Sequence, residues 1–215
     1  MTAVVSLVLL GRGDAPDVGT AHTSTSDSEA TRALDLAARA ATGDPTATRE
    51  LLMLVSPAVV RSVRLVLGAK SPDAEDVTQQ ALLAFVEALP TFRAECHPTG
   101  FAARIAVHSA LSTRRRATRL RIVACGAEEL ADATERRRAP HDDAGTAAYQ
   151  RRCVRDLLGQ LPHDQAEVLA LHIILGHSLP EVSQITSIPL NTVKSRLRLA
   201  KQVLRRTLDA AWPST

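Results

Sequence analysis

Apolar residues recur at helical spacing near the C-terminus, in a stretch where residues 188–206 hold six Lys or Arg and no Asp or Glu. The apolar positions are Val193, Leu197, Ala200, Leu204 and Leu208. Their steps of three and four place them on one face of a helix. The pattern predicts an amphipathic helix over residues 190–209 whose apolar face is buried.

The basic residues of this helix follow the same steps, displaced by one position. Lys194, Arg198, Lys201 and Arg205 therefore form a stripe about 100° around the helix from the apolar face. A charged stripe is either a solvated surface or a surface for a polyanion, and the helix alone leaves both interpretations open.

The preceding residues favour the second interpretation. Ser178 and Glu181 have capping-box spacing, which predicts a short helix over residues 179–185 with Val182 and Ile185 on its apolar face. The sequence "TSIP" then interrupts the pattern before the basic helix. Helix, tight turn and basic helix form a helix-turn-helix, whose second helix enters the major groove. The alternative is a small helical bundle that binds no DNA and whose arginines only keep it soluble.

The start of the basic helix would face base edges and nearby phosphates, and its later turns would contact the phosphate backbone. The residues expected at base edges are Asn191, Thr192, Lys194 and Ser195, and those expected at phosphates are Arg196, Arg198 and Lys201.

The chain as a whole indicates an all-α fold. No segment alternates as a strand does, aromatic residues make up only 2%, and a hydrophobic content of 45% permits real cores. Helices are predicted at about 31–42, 46–67, 72–89, 99–117, 146–160, 163–175, 179–185 and 190–209. We expect two small helical domains, over residues 31–119 and 146–211, joined by a flexible linker over 120–145 and preceded by a mobile extension over 1–30.

Several functional classes find no support in the sequence. The net charge is only +3, and Cys96, Cys125 and Cys153 match neither a disulfide framework nor a zinc site. The apolar "AVVSLVLLG" lacks a basic leader and is too short to span a bilayer. Phosphate loops, metal-ligand spacings and paired nucleophiles are also missing. We therefore expect a cytoplasmic, non-enzymatic protein with no cofactor, metal, small-molecule substrate or membrane insertion.

The segment "SPDAEDVTQQALLAFVEALPTFR", residues 71–93, predicts a helix with Ser71 as its cap and Pro72 in its first turn. Its expected buried face consists of Val77, Ala81, Ala84, Phe85 and Ala88. The opposite face carries acidic and amide residues, namely Asp76, Gln79, Gln80 and Glu87. Such a surface is unsuited to phosphates and suited to a protein.

The next segment, residues 97–121, is expected to turn Phe101, Ile105 and His108 inward. It ends in five arginines, Arg114, Arg115, Arg116, Arg119 and Arg121. Cations stabilise a helix C-terminus without any ligand, but five within eight residues exceed that need.

These motifs together resemble the bacterial RNA polymerase sigma factors, in particular the extracytoplasmic-function (ECF) group of the sigma-70 family. "AEDVTQQALLAF" resembles the core-polymerase-binding helix, "FAARIAVHSALSTRRRATR" the promoter-opening helix, and residues 157–208 the promoter-reading domain. The three occur in the family's order over most of residues 32–209. The two domains would then be sigma regions 2 and 4, and the partners would be core RNA polymerase, promoter DNA and an anti-sigma factor.

The resemblance also implies roles for individual residues. Asp76, Gln79 and Gln80 would contact the polymerase, and Thr192, Lys194, Ser195 and Arg196 would read the minus-thirty-five element. The loop from Glu95 to Gly100 would hold a flipped base of the minus-ten element. The residues expected to contact the separated strand are Phe101, Arg104, His108, Ser112, Arg114, Arg115 and Arg116.

Some positions depart from the family pattern. Asn191 stands where Gly is usual, Phe101 where Trp is usual, and His108 where Asn is usual. The departures leave the promoter sequence open. The competing hypotheses are a stand-alone helix-turn-helix regulator, which leaves the acidic face and the arginine cluster unexplained, and a sigma-like decoy that only sequesters an anti-sigma factor.

Overall fold

The computed structural model describes residues 23–138, 155 and 158–211, and it places side chains for 28–120, 155 and 158–206. Every regular element among these residues is a helix, which confirms the all-α prediction. The N-terminal elements are α1 (Thr23–Ala41), α2 (Pro45–Leu67), α3 (Ala74–Ala88), a 3₁₀ turn (Leu89–Thr91) and α4 (Pro98–Arg138). The C-terminal elements are α5 (His163–Leu169), a π-helical turn (Ala170–Ile174), α6 (Leu179–Thr186) and α7 (Leu190–Ala211).

Helix α2 is the centre of the N-terminal part and packs against α1, α3 and α4. It begins where the Asp44 side chain accepts hydrogen bonds from the backbone N–H groups of Thr46 and Ala47, and it ends at Gly68, whose φ of 108° suits glycine. Its stripe of fully buried residues recurs every four positions, as Leu51, Val55, Val59 and Val63. This stripe forms the core that orients α3 and α4.

The buried face of α4 is built largely from small residues: Ala102, Ala103, Ala106, Val107, Ala110 and Leu111. Phe101 is half-buried instead, with its ring centroid 6.0 Å from that of Phe85 and 5.0 Å from that of Phe92. Alanines let the backbones of α2 and α4 approach closely, so the larger side chains of α4 emerge along its flanks.

The C-terminal helices form the predicted helix-turn-helix. The Ser178 hydroxyl accepts from the backbone N–H of Glu181, and the Glu181 carboxylate accepts from the backbone N–H of Ser178, which confirms the capping box. Between α6 and α7, Ser187 adopts the left-handed conformation with φ 53°, and the Ser183 hydroxyl donates to the carbonyl oxygen of Ile188 over 2.6 Å. The left-handed turn at Ser187 and the hydrogen bond from Ser183 fix the angle between α6 and α7.

The N-terminal and C-terminal helices also pack on each other, because α4 contacts both α5 and α6. Three arginines of the N-terminal part donate to backbone carbonyl oxygens of the C-terminal part: Arg61 to Leu175 over 3.2 Å, Arg104 to Ile185 over 3.4 Å, and Arg115 to Leu161 over 2.7 Å. The described apolar core is consequently continuous across both parts.

Four local predictions need correction; three concern where helices begin and end, and the fourth concerns His108. Helix α1 begins at Thr23 rather than near residue 31, so residues 23–30 of the expected extension are helical, while residues 1–22 lie outside the described part. Ser71 is not the cap of α3: residues 71–73 form a turn, and Asp73 precedes the helix without a side-chain capping bond. Helix α4 continues to Arg138, through most of the segment predicted as a linker. Most of the helix predicted at 146–160 lies outside the described residues.

The fourth correction concerns His108, which is exposed rather than turned inward. The alanine-rich face of α4 gives a weak apolar signal, so the larger Phe101, Ile105 and His108 appeared to mark the buried side. The adjacent face, displaced by one residue, is the one that packs on α2.

Candidate nucleic-acid interface

The apolar face of α7 holds the helix against the rest of the C-terminal part. Val193 and Ala200 are completely buried, and Leu197 and Leu204 nearly so, as the sequence predicted for these four positions; the side chain of Leu208 lies outside the described residues. Because this face is fixed, the basic stripe points away from the core.

The stripe itself lines one shallow groove along α7. Lys194, Arg198, Lys201 and Arg205 line it together with Leu197 and Gln202. At the start of the helix, Asn191, Lys194 and Ser195 are exposed and Thr192 is half-buried. The arrangement presents polar side chains at the helix N-terminus and cations farther along, which is the order that groove entry and backbone contact require.

Arg196 differs from the other cations of α7. Its guanidinium lies 2.7 Å from the Asp164 carboxylate of α5, and only 27% of its side chain is exposed. Arg196 was predicted to be a DNA contact, and no role was predicted for Asp164. Asp164 sits in the first turn of a helix that is distant in sequence, so spacing alone could not reveal the pair.

The arginine-bearing face of α4 lies against the C-terminal helices. Arg104 pairs with Glu167 over 3.3 Å, and Arg115 donates to the carbonyl oxygen of Leu161. Arg114 donates over 3.5 Å to the carbonyl oxygen of Val66 at the end of α2. Ser112 and Arg116 are exposed.

His108 meets His163 across the same contact. The Nε2 atom of His163 lies 2.8 Å from the Nδ1 atom of His108, and the two rings meet edge to face with centroids 4.3 Å apart. Burial lowers the pKa of His163, and His108 and Arg115 lower it further. The sequence gave no sign of this pair, because its members are far apart in the chain.

The base-holding loop expected from Glu95 to Gly100 ends at His97, because α4 begins at Pro98. A Cβ atom added to Gly100, in the first turn of α4, would lie 3.0 Å from the Ile185 side chain of α6. Burial raises the pKa of the half-buried Cys96 thiol in this loop, with a smaller contribution from Glu95. The C-terminal helices thus abut the loop as well as the face of α4.

The opposite side of the N-terminal part carries the acidic and amide surface of α3. Asp76, Gln79 and Gln80 are exposed, and Gln80 donates to the Asp76 carboxylate over 2.7 Å. Leu83, which follows on the same side, is 66% exposed. Leu83 was not among the predicted surface residues, although its position off the buried stripe of α3 is a signal for an exposed apolar contact.

The described residues contain neither a candidate membrane span nor a candidate metal site. No helix among them is both long and apolar enough to cross a membrane. Within the same ranges, no three His, Cys, Asp or Glu side chains are grouped as they would be around a metal ion.

Comparison with known proteins accounts for both parts of the chain. Residues 51–120 match the model for sigma-70 region 2, and residues 151–204 match that for sigma-70 region 4. The ECF RNA polymerase sigma factor SigD of Mycobacterium tuberculosis is 33% identical over 178 residues, which cover 81% of this chain and 82% of SigD. This chain belongs to the ECF sigma factors.

Other relatives agree. The sigma factor ShbA of Streptomyces griseus is 31% identical over 193 residues, covering 82% of this chain and 99% of ShbA. Among solved structures, CnrH in complex with the cytosolic domain of CnrY matches with a TM-score of 0.52 and 25% identity, over 83% of this chain and 98% of CnrH. The protein is therefore a sigma factor that directs transcription initiation, with core RNA polymerase and promoter DNA as its partners.

Proposed function

We propose that this sigma factor uses three surfaces for three binding roles: α3 binds core polymerase, α7 reads the minus-thirty-five element, and α4 captures the separated minus-ten strand. The observation that carries the proposal is that the exposed acidic surface of α3 and the basic groove of α7 lie in one chain. A stand-alone DNA reader needs only the second surface.

On α7, Asn191, Thr192, Lys194 and Ser195 would face base edges, because the N-terminal residues of a recognition helix reach deepest into the major groove. Arg198 and Lys201 would neutralise phosphates along the groove that they line. Arg196 would help the first turn of α7 to read the minus-thirty-five element, from its position beside Asp164.

On α4, Arg104, Ser112, Arg114, Arg115 and Arg116 would follow the strand, with Phe101 and His108 near the captured base. Unstacking costs a few kcal/mol per base, which contacts to the base and to phosphates must offset. Since few aromatic rings are present, arginine–phosphate contacts would offset most of that cost. Promoter opening would therefore decrease steeply as the salt concentration rises.

On α3, Asp76, Gln79 and Gln80 would contact the polymerase through charge and hydrogen bonds, and the exposed Leu83 would add apolar area beside them. A protein regulator of the anti-sigma type is a further proposed partner. Its support is the family resemblance and the solved relative CnrH, whose structure contains a second protein. We place this activity in the cytoplasm, where polymerase and promoter meet, and assign the chain no covalent chemistry.

Run-off transcription with purified core polymerase on a promoter library tests the proposal. Lys194→Ala should lower transcript yield and promoter binding while core binding stays intact, and Lys70→Ala, an exposed lysine on the loop after α2, is its matched control. Asp76→Ala should weaken co-migration with core polymerase, with the exposed Asp35→Ala of α1 as control. A wild-type protein that neither co-migrates with core polymerase nor yields any transcript would refute the proposal.

A further inference from the structure

We propose that the free sigma factor rests in a closed form, in which the C-terminal helices cover the strand-capturing face of α4, and that protonation of the His108–His163 pair opens it. The inference rests on the proposed function for one point only, namely that the covered face is the one that captures DNA. The closure and its response to pH concern the protein alone.

The cover is formed by contacts that use the DNA-binding groups themselves. The Arg104 guanidinium donates to the Glu167 carboxylate and to the carbonyl oxygen of Ile185, and Arg115 donates to the carbonyl oxygen of Leu161. Glu167 is 5% exposed, so the C-terminal part brings a buried carboxylate to the arginine that a phosphate would otherwise meet. DNA and the closed form therefore compete for the same side chains.

Steric fit gives the same conclusion beside the base-holding loop. Gly100 is buried, and a Cβ atom added to it would lie 3.0 Å from the Ile185 side chain, which is a tight contact. Ile185 thus packs directly against the first turn of α4, so α6 covers this end of the strand-capturing face.

The histidine pair makes the closure sensitive to protons. A hydrogen bond between two imidazoles needs a donor nitrogen on one ring and a lone pair on the other, which the 2.8 Å separation of His163 Nε2 and His108 Nδ1 provides when at least one ring is neutral. If both rings carry a proton on each nitrogen, two N–H groups and two positive charges face each other. The contact then becomes repulsive.

The charges around the pair come from three helices. On α4, Arg115 opposes a second proton; on α5, Glu167 and Asp164 favour it. Both carboxylates already have cationic partners, since Asp164 pairs with Arg196 of α7 and Glu167 pairs with Arg104. The net surroundings therefore do little to stabilise a doubly protonated pair.

The direction of the pH effect follows from the lowered pKa of His163, which burial causes first and the neighbouring His108 and Arg115 reinforce. In the open form His163 is solvated and its pKa returns toward the ordinary value of about 6.5. The closed form thus binds protons less readily than the open form. Closure is strongest above that ordinary value and weakens as the pH falls below it, by up to about tenfold in the closed-to-open ratio per pH unit for one proton.

Small-angle X-ray scattering of the full chain, without polymerase or DNA, tests the inference. The radius of gyration should increase between pH 7.5 and pH 5.5, and histidine resonances in NMR spectra should give a lower pKa for His163 than for an exposed histidine. The double variant His108→Gln/His163→Gln should lose the increase, because an amide pair can hydrogen-bond but does not titrate. His172→Gln, whose ring nitrogen lies 2.8 Å from the carbonyl oxygen of His177 within the C-terminal part, should keep it.

A fixed charge provides the converse variant. His163→Lys should be open at pH 7.5, with circular dichroism confirming that its helices remain folded. Equal radii of the wild type at both pH values, or an increase that persists in the double variant, would overturn the inference. Run-off transcription is scored separately, so a protein that opens with acid but directs no transcript would refute the proposed function and leave the closure intact.

Discussion

The ion pair between Arg104 and Glu167 allows the energy of the closed form to be measured directly. Its atoms are 3.3 Å apart, the Glu167 side chain is 7% exposed, and the Arg104 side chain is 34% exposed. Arg104→Ala leaves a buried carboxylate without its cation and removes the bond to Ile185. Breaking a fully buried pair costs roughly 3–5 kcal/mol, and the partial exposure of Arg104 reduces this to about 1–3 kcal/mol.

Since about 1.4 kcal/mol corresponds to a tenfold change, the variant should shift the closed-to-open ratio by roughly 5-fold to 150-fold. Urea denaturation followed by circular dichroism gives the loss in unfolding free energy, and scattering gives the change in shape. Arg104→Ala/Glu167→Gln should recover part of the loss, because the double variant buries no charge. Arg93→Ala, which removes an exposed pair with Glu95 at 4.0 Å, should cost less than about 0.5 kcal/mol.

If Arg104→Ala and Arg93→Ala lose the same free energy, or if adding Glu167→Gln to Arg104→Ala lowers stability further, the pair does not hold the two parts together. Either result would refute the reasoning about Glu167, because it would show that the buried carboxylate gains no stability from Arg104.

Further predictions concern the helix-turn-helix and the core. Ser178→Ala should cost about 1 kcal/mol, seen in urea denaturation, because it removes one half of the capping box. Burial opposes ionisation of Glu181, but the bonds from Ser178 outweigh it and lower the pKa, so the contribution of Glu181 to stability should vanish as the pH falls below about 4.5; a flat profile would contradict this. Phe85→Ala should cost about 3–5 kcal/mol, since its ring is completely buried, and an unchanged denaturation midpoint would contradict the core assignment. Asp164→Asn should release Arg196 and alter which minus-thirty-five sequences are selected from a library, whereas identical selections would show that the pair has no part in reading.

Local signals were enough to predict the helix-turn-helix of the C-terminal part. The apolar face of α7 and the capping box of α6 both follow from residues within a few positions of each other, and the structure contains both. Large aliphatic residues and hydrogen-bonding side chains carry strong signals of this kind. The same holds for the exposed residues of α3, which were separated from its buried stripe by periodicity alone.

The features that the sequence did not reveal depend on partners far along the chain or on weak propensities. His108 meets His163, and Arg196 meets Asp164, through contacts that no spacing rule contains. The length of α4 was underestimated because Gly126 and mixed charges near it suggested a break, and one glycine costs a helix only about 1 kcal/mol. The individual roles proposed for the DNA-binding and polymerase-binding residues remain predictions.

The bonds from Arg104 and Arg115 to backbone carbonyl oxygens have a consequence for ionic strength. Carbonyl groups are uncharged, so these two bonds depend little on salt, whereas the proposed binding of the same guanidiniums to DNA phosphates would gain from counterion release and weaken as salt rises. We therefore expect added salt to weaken DNA binding more than it weakens these two bonds.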